Sequence, residues 1–393
     1  MRPGSTGSIV FVTTVPETLP FLRKQVERLQ ASGFEVHCVS SSGPLLDRFH
    51  ELSGVPVHEV SMPRTLAPLA DLQALAKLVA LFVELHPDAV HSSTPKAGLL
   101  GTTAAAIARV PTRVYQMRGL PMDTASGPLK VVFWGAELVS CTLAHRVIAV
   151  GKSVREAAIA RRLCRSDKVR VLAGGSGQGV DAARFAPDRY SREQRAKARA
   201  RFGIPEGATV VGFVGRIVSE KGVPELAMAW SRLRERHPNA HLVLVGPRET
   251  RDPVPALILD ALDSDSRAHF TGHVLEPAEL IAIMDVVALP THREGFPNVP
   301  LEAAAMEVPV VASDLPACRE AVEHGRTGLL FPVRDDQALE RALETYLANP
   351  ALRREHGKRA RARVLDEFSA DRSAEALLAE YLELVPRSPS AAG

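Results

Sequence analysis

Short apolar runs alternate with amphipathic stretches along the whole chain. In the first half, β-rich runs at 9–13, 36–40, 57–60, 89–92, 113–116, 147–150 and 169–172 read as strands. Helix-period patterns lie between them, for example at 66–85 and 99–108. In the second half, strands are predicted at 210–214, 242–245, 268–271, 286–289, 310–312 and 329–331. Strands that are apolar on both faces and separated by helices predict parallel sheets covered on both sides. Two such series predict an α/β protein with two Rossmann-like domains.

The boundary is expected near 180–190, where the glycine-rich GGSGQGVD at 174–181 gives way to FAPDRYS. A capped helix should follow, with Ser191 as N-cap, Gln194 three residues on, and Gly203 and Pro205 at its exit. The division drawn is 1–183 and 184–372, then a terminal helix over 373–386 and a disordered tail over 387–393. In doubly wound folds ligands bind outside the carboxyl ends of the strands, so a cleft between two facing domains is the expected active site.

Composition narrows the class. The 393 residues suffice for two cores, and 46% hydrophobic with 24% charged is ordinary for a globular protein. A net charge of +3, from 48 basic and 45 acidic residues, is not the footprint of a nucleic-acid binder. Cys38, Cys141, Cys164 and Cys318 form no C-x-x-C pair, which points to a reducing cytoplasm rather than a zinc or disulfide framework. MRPGSTG runs straight into a strand-like stretch without a leader's apolar core, and no run approaches a membrane span. Nothing in the sequence signals an oligomeric state.

The densest chemistry lies at 293–311, REGFPNVPLEAAAMEVPVV. Glu294 and Glu302 flank a Gly-Phe-Pro-Asn loop between an apolar strand and an alanine-rich helix opening at Pro300. A helix start offers unpaired N–H groups and a positive dipole end, which suit a phosphate. Glu302 in the first turn can reach a ribose hydroxyl, and Glu294 can face a second polar ring. The ligand this suits is a nucleotide-sugar. A second motif, GFVGRIVSEKG, places Arg216 and Lys221 at a strand exit. Two cations there can neutralise a departing diphosphate; taken alone they also read as surface charges on a βα loop.

With these motifs the chain resembles family 4 of the glycosyltransferases, the retaining enzymes of GT-B architecture. The matching stretches are GR…EKG at 215–222, the Glu294/Glu302 pair with GFPN between, and PVVASDLPACREAVEHGRTGLLFP at 309–332. HSSTPKAGLLG at 91–101, YQMRGLP at 115–121 and the GVD at 179–181 resemble the bacterial polysaccharide subgroup. The resemblance implies that Glu302 binds the donor ribose and that Arg216 and Lys221 hold the diphosphate. It further implies that Glu294 faces the transferred sugar, with backbone groups of Gly295, Phe296, Pro297, Asn298 and Val299 beside it. His91 would approach the reacting carbon, and Glu320 matches a second acidic position, equally readable as a helix-surface carboxylate. Lys96 and Arg118 could contact an acceptor phosphate or be solvated cations. The terminal helix would cross back to the first domain. Two departures stand out: Thr13-Thr14-Val15-Pro16 replaces the usual Gly-Gly loop, and Gln178 stands where Asn is usual before Gly-Val-Asp.

Other signals are read as structural. Asp263-Ser264-Asp265 resembles a D-x-D metal motif but lies far in sequence from the Glu294 loop, so no metal or other cofactor is expected. The 174–179 glycine run reads as an interdomain hinge about which closure would exclude water. The basic run 195–201 reads as a solvated helix face. The apolar stretch 129–146, with Phe133 and Trp134, reads as a core helix or as a surface that dips into a membrane. The expected activity is transfer of a sugar from a nucleotide-sugar, a UDP-sugar for choice, to a lipid-linked saccharide at the inner face of the membrane. A small-molecule acceptor, a 2-epimerase of the same fold and a non-catalytic nucleotide-sugar binder are the alternatives.

Overall fold

The structure is a computed structural model that describes residues 6–123 and 125–385. The tail expected at 387–393 lies outside the described residues. The chain forms two compact units, residues 1–179 with 370–393 and residues 180–369.

The first unit holds seven parallel strands: β1 (Gly7–Val12), β2 (Phe34–Ser40), β3 (Val57–Glu59), β4 (Ala89–Ser93), β5 (Thr112–Met117), β6 (Arg146–Ala149) and β7 (Val169–Arg170). Their order is β3-β2-β1-β4-β5-β6-β7. Each strand overlaps a run read as a strand from the sequence, as the mostly apolar strands of a covered parallel sheet should. On one face Val10, Val12, Val90 and Leu78 pack together. On the other, Ile9, Phe11, Ala89 and Val114 pack with Leu377, Leu378 and Tyr381 of the helix Ala370–Leu384. Arg28 pairs bidentately with Glu375, and Arg146 reaches Glu380 at 3.1 Å and Glu383 at 2.8 Å. Arg146 and Glu380 are both nearly buried, and each keeps a second partner, Glu383 for Arg146 and Arg170 for Glu380, so four charges form one network. The helix Pro95–Ile107 lies close on the sheet through two glycines. A Cβ on Gly98 would fall 2.3 Å from the Tyr115 ring, and one on Gly101 would fall 2.2 Å from Ser92 Oγ.

The second unit holds six parallel strands: β8 (Thr209–Val214), β9 (Ala240–Val245), β10 (Ala268–Phe270), β11 (Val286–Leu289), β12 (Val310–Ser313) and β13 (Gly328–Phe331), ordered β10-β9-β8-β11-β12-β13. Phe213, Leu226, Trp230, Leu244, Leu339 and Tyr346 centre its core. The helix Arg192–Ala200 opens with a full capping box between Ser191 and Gln194, as the S-x-x-Q spacing requires.

Three of the stretches read as structural now have definite surroundings. The basic helix is not simply a solvated face: Arg195 donates to the Tyr190 and Pro187 carbonyls, and Arg199 donates to those of Glu206, Ala208 and Ile283 and pairs with Asp285. The glycine run, read as an interdomain hinge, ends where the two units divide; in it Ser176 and Gln178 are buried and Ser176 Oγ accepts from Gly179 N at 2.7 Å. The helix Gly127–Leu143 turns Glu137, Ser140 and Cys141 inward and leaves Leu129, Val131, Val132 and Val139 exposed. Its polar side is buried because Tyr115 supplies Glu137 with a hydrogen bond of 2.8 Å. Burial pushes the Glu137 carboxyl up to about 7.

Candidate functional site

In the second unit two loops meet at the carboxyl ends of the adjacent strands β8 and β11. The β8 loop turns through Ser219–Lys221 to Gly222 and enters the helix Val223–Arg236. Gly222 has φ +71°, and a Cβ there would lie 1.9 Å from the Pro290 carbonyl oxygen. Only glycine meets both conditions. The loops are tied again by His292 N donating to the Glu220 carbonyl at 2.8 Å. This approach sets Lys221 Nζ 2.6 Å from Glu294 Oε1, with both side chains mostly buried.

The GFPN loop is shaped from within. Thr291 Oγ1 donates to the Arg293 carbonyl at 2.9 Å. Phe296 is buried with its ring 5.8 Å from that of Phe368. The Asn298 carbonyl accepts from Leu301 N and Glu302 N, opening the helix Val299–Ala305 with Pro300 in its first turn. Gly295, Pro297 and Val299 complete the connection. Glu302 differs from Glu294. No described residue donates a hydrogen bond to its carboxyl, and burial, only partly offset by Arg184, pushes it up to about 7.

Arg216 donates to Glu249 at 3.0 Å and to Glu220 at 2.6 Å, and Glu220 also accepts from Arg293 at 3.1 Å. Sequence reasoning missed Glu220, Glu249, Arg293 and Arg184. The usable signal for Glu249 was its place just beyond β9, the strand beside β8. Glu320 lies in the helix Pro316–Ala321, where its carbonyl accepts from Arg363. A cavity of about 430 Å³ lies by this helix, lined by Asp314, Arg319, Val322, Glu323, His324 and Leu330. The D-x-D carboxylates are committed elsewhere: Asp263 pairs with Arg248, and Asp265 accepts from Trp230 Nε1 and pairs with Arg234.

In the first unit the three candidate residues have different fates. His91 is 1% exposed, stacked on Phe11, and shares a 2.8 Å hydrogen bond between Nδ1 and the Tyr381 hydroxyl. Burial pushes its imidazole down to about 3, so it is neutral. A side chain so placed is part of the core. Its other ring nitrogen, Nε2, is buried and has no hydrogen-bond partner among the described residues. Lys96 is spent on Asp71 at 2.7 Å and on the Thr65 carbonyl. Arg118 reaches Ser93, Gln116 and Gln178. Of the Thr13-Thr14 segment, Thr14 Oγ1 lies 2.5 Å from Thr94 Oγ1.

The fold is that of the GT-B class, two parallel-sheet α/β domains. Residues 20–175 match the model "Glycosyl transferase 4-like domain" and residues 194–363 match "Glycosyl transferases group 1". The chain is 32% identical to the capsular polysaccharide biosynthesis glycosyltransferase CapM of Staphylococcus aureus, over 92% of this chain and 93% of that one. It is 30% identical to a GDP-mannose-dependent alpha-mannosyltransferase of Mycolicibacterium smegmatis, over 86% of each. Among solved structures, Anabaena Alr3699/HepE in complex with UDP and glucose superposes with a TM-score of 0.79 at 23% identity, covering 96% of this chain and 99% of that one. The chain belongs to the group 1, family 4-like glycosyltransferases.

Proposed function

We propose that the protein is a retaining, metal-independent glycosyltransferase that moves a sugar from a UDP-sugar to a hydroxyl of a lipid-linked saccharide in envelope polysaccharide synthesis. The observation that carries this reading is the 2.6 Å Lys221–Glu294 pair, which joins the two motifs on the loop that leads to Glu302, whose carboxyl receives no hydrogen bond from a described residue. In this reading the ribose hydroxyls donate to Glu302. The diphosphate takes Lys221 from Glu294 and draws Arg216 from Glu220 and Glu249. As the bond to the sugar breaks, charge builds on the leaving phosphate, and these two cations stabilise it. They and the loop N–H groups supply the positive charge that a metal supplies elsewhere. Glu294 then orients the sugar. The resemblance favours departure of the phosphate and entry of the acceptor on the same face, with Glu294 orienting the sugar rather than attacking it.

Support for the biological setting comes from the relatives. CapM's name places that protein in capsular polysaccharide synthesis. UDP is favoured over GDP by the structural neighbour in complex with UDP, although the mannosyltransferase uses GDP-mannose. For a lipid-linked acceptor the supporting feature is the helix Gly127–Leu143, whose Leu129, Val131 and Val132 face solvent beside exposed Lys130. Among the described residues no helix is long and apolar enough to cross a membrane, so contact would be peripheral, at the cytoplasmic face.

The test is calorimetry of UDP, GDP and their sugars with and without EDTA. UDP binding that is unchanged by EDTA and lost in Glu302→Ala supports the reading. Binding of no nucleotide sinks it. Nucleotide binding that requires a divalent ion removes the metal-independent part.

A further inference from the structure

At the carboxyl ends of β4 and β5 the first unit holds a half-buried guanidinium with no anion beside it. Arg118 Nε donates to Ser93 Oγ at 2.8 Å, Nη1 to Gln178 Oε1 at 3.1 Å and Nη2 to Gln116 Oε1 at 3.3 Å. All three acceptors are neutral. Among the described residues no carboxylate lies within ion-pair distance of Arg118, whereas Lys96 nearby in sequence has Asp71 and Arg146 has Glu380 and Glu383. His91, the titratable group that feels the Arg118 charge, is held neutral in the core. Burial lowers the Arg118 pKa to about 10, which still leaves it charged at neutral pH.

The neutral partners are themselves fixed. Gln116 Nε2 donates to the Gly177 carbonyl at 3.2 Å, which aims its Oε1 at the guanidinium. Gln25 Nε2 donates to the same carbonyl at 2.7 Å, and Gly179 N donates to Ser176 Oγ. Gly177 has φ +78°, and a Cβ there would lie 2.7 Å from Gln116 Nε2, so the turn can close on Gln116 only because this residue is glycine. A guanidinium has five N–H groups. Three are used, which leaves one N–H on each Nη to donate to the oxygens of an anion. The carboxyl edge of a parallel sheet is also where doubly wound folds take ligands.

We propose that Arg118, framed by Ser93, Gln116 and Gln178, is an anion subsite that holds a phosphate or diphosphate ester of the acceptor. This rests on the glycosyltransferase reading for the word acceptor, but the anion site stands on the first unit's own geometry. It makes the acceptor a phosphorylated molecule, and it assigns Gln178 to the shaping of the site.

The experiment uses the full chain and titrates inorganic phosphate, inorganic pyrophosphate and an isoprenyl diphosphate by calorimetry. UDP is kept saturating so that the donor cations are occupied. The expected result is a binding event that weakens with salt and falls about 10- to 100-fold in Arg118→Gln, the range of a lost charge-assisted pair. Arg118→Lys should fall in between, since a point charge replaces a fork, and it supplies the answer if the Gln variant does not fold. Tighter binding of the diphosphate ester than of inorganic phosphate supports the acceptor assignment. Equal affinity for the two overturns that assignment. Binding that is indifferent to both Arg118 variants in folded protein overturns the site. If no nucleotide binds at all, the same titration on the Arg216→Ala/Lys221→Ala variant still reads the Arg118 site, so the two ideas fail separately.

Discussion

The two units are built alike at their sheets and differently at their working edges. Both order their first five strands the same way, β3-β2-β1-β4-β5 in one and β10-β9-β8-β11-β12 in the other. Both even place a histidine pair across the outer strands, His37 with His58 and His241 with His269, each at 3.0 Å. At the carboxyl edge the likeness ends. The second unit balances its cations with carboxylates, Lys221 with Glu294 and Arg216 with Glu220 and Glu249. The first gives Arg118 only neutral oxygens. A balanced site can stand empty at little cost and exchanges one anion for another when a ligand enters. An unbalanced one carries its desolvation cost until an anion arrives.

The largest test of this contrast is to unbalance the second unit. Lys221→Ala leaves Glu294 without its cation and removes one stabiliser of the leaving group, so kcat should fall about 10²- to 10³-fold while acceptor KM moves little. Near-wild-type turnover would mean that the pair is structural. Next in size is the joint between the two loops. Gly222→Ala places a methyl on the Pro290 carbonyl at a positive φ, and should cost on the order of 3 kcal/mol. Thermal scans should show a melting temperature roughly 5–10 °C lower. An unchanged melting temperature would show that the loops part freely.

A smaller effect concerns protons. Glu302 keeps its proton up to about pH 7, and an ionised carboxylate is the better acceptor for two ribose hydroxyls. Binding therefore releases a proton below that pH, and affinity for a UDP-sugar, whose diphosphate diester does not titrate there, should weaken as pH falls from 8 to 6. Glu302→Gln should bind more weakly and show no such slope. In the free protein the raised carboxyl lowers stability as pH rises from about 4.5 to about 7, since the unfolded chain has by then lost the proton. The Gln variant should therefore melt higher than wild type at pH 8. The smallest effect tests what the units share. Burial lowers the pKa of His58, and of His241 and His269, so the folded state binds fewer protons than the unfolded as pH falls below about 6.5. Stability is then lost in acid, and His58→Gln and His269→Gln should each flatten the fall of melting temperature between pH 7 and 5. A slope unchanged in both would remove the shared feature from the account of acid sensitivity.

All thirteen strands were legible in the sequence, because the central strands of a covered parallel sheet are mostly apolar and alternate with helical stretches, and that is a local pattern. The helix start at Ser191 was legible for the same reason, since a capping box is complete within four residues. The placing of Lys221 against Glu294 was legible only as motif. Chemistry suggested that the two belonged together, but the contact spans 73 residues and depends on Gly222 touching Pro290. The burial of His91 was not legible, because a histidine at a strand end looks the same whether it faces solvent or core. Its face was settled by Tyr381, which lies 290 residues away on the terminal helix.

The sequence by itself determined the two α/β series, the family motifs and the residue types able to meet a nucleotide-sugar. The tertiary structure decided which of those charges are neutralised. It gave Lys96 to Asp71, Arg199 to Asp285 and Arg216 to Glu249, and it left Arg118 with amides and a hydroxyl. Charge state and pairing depend on which groups are brought within a few ångströms and how much water is removed around them. Neither is a property of neighbours along the chain.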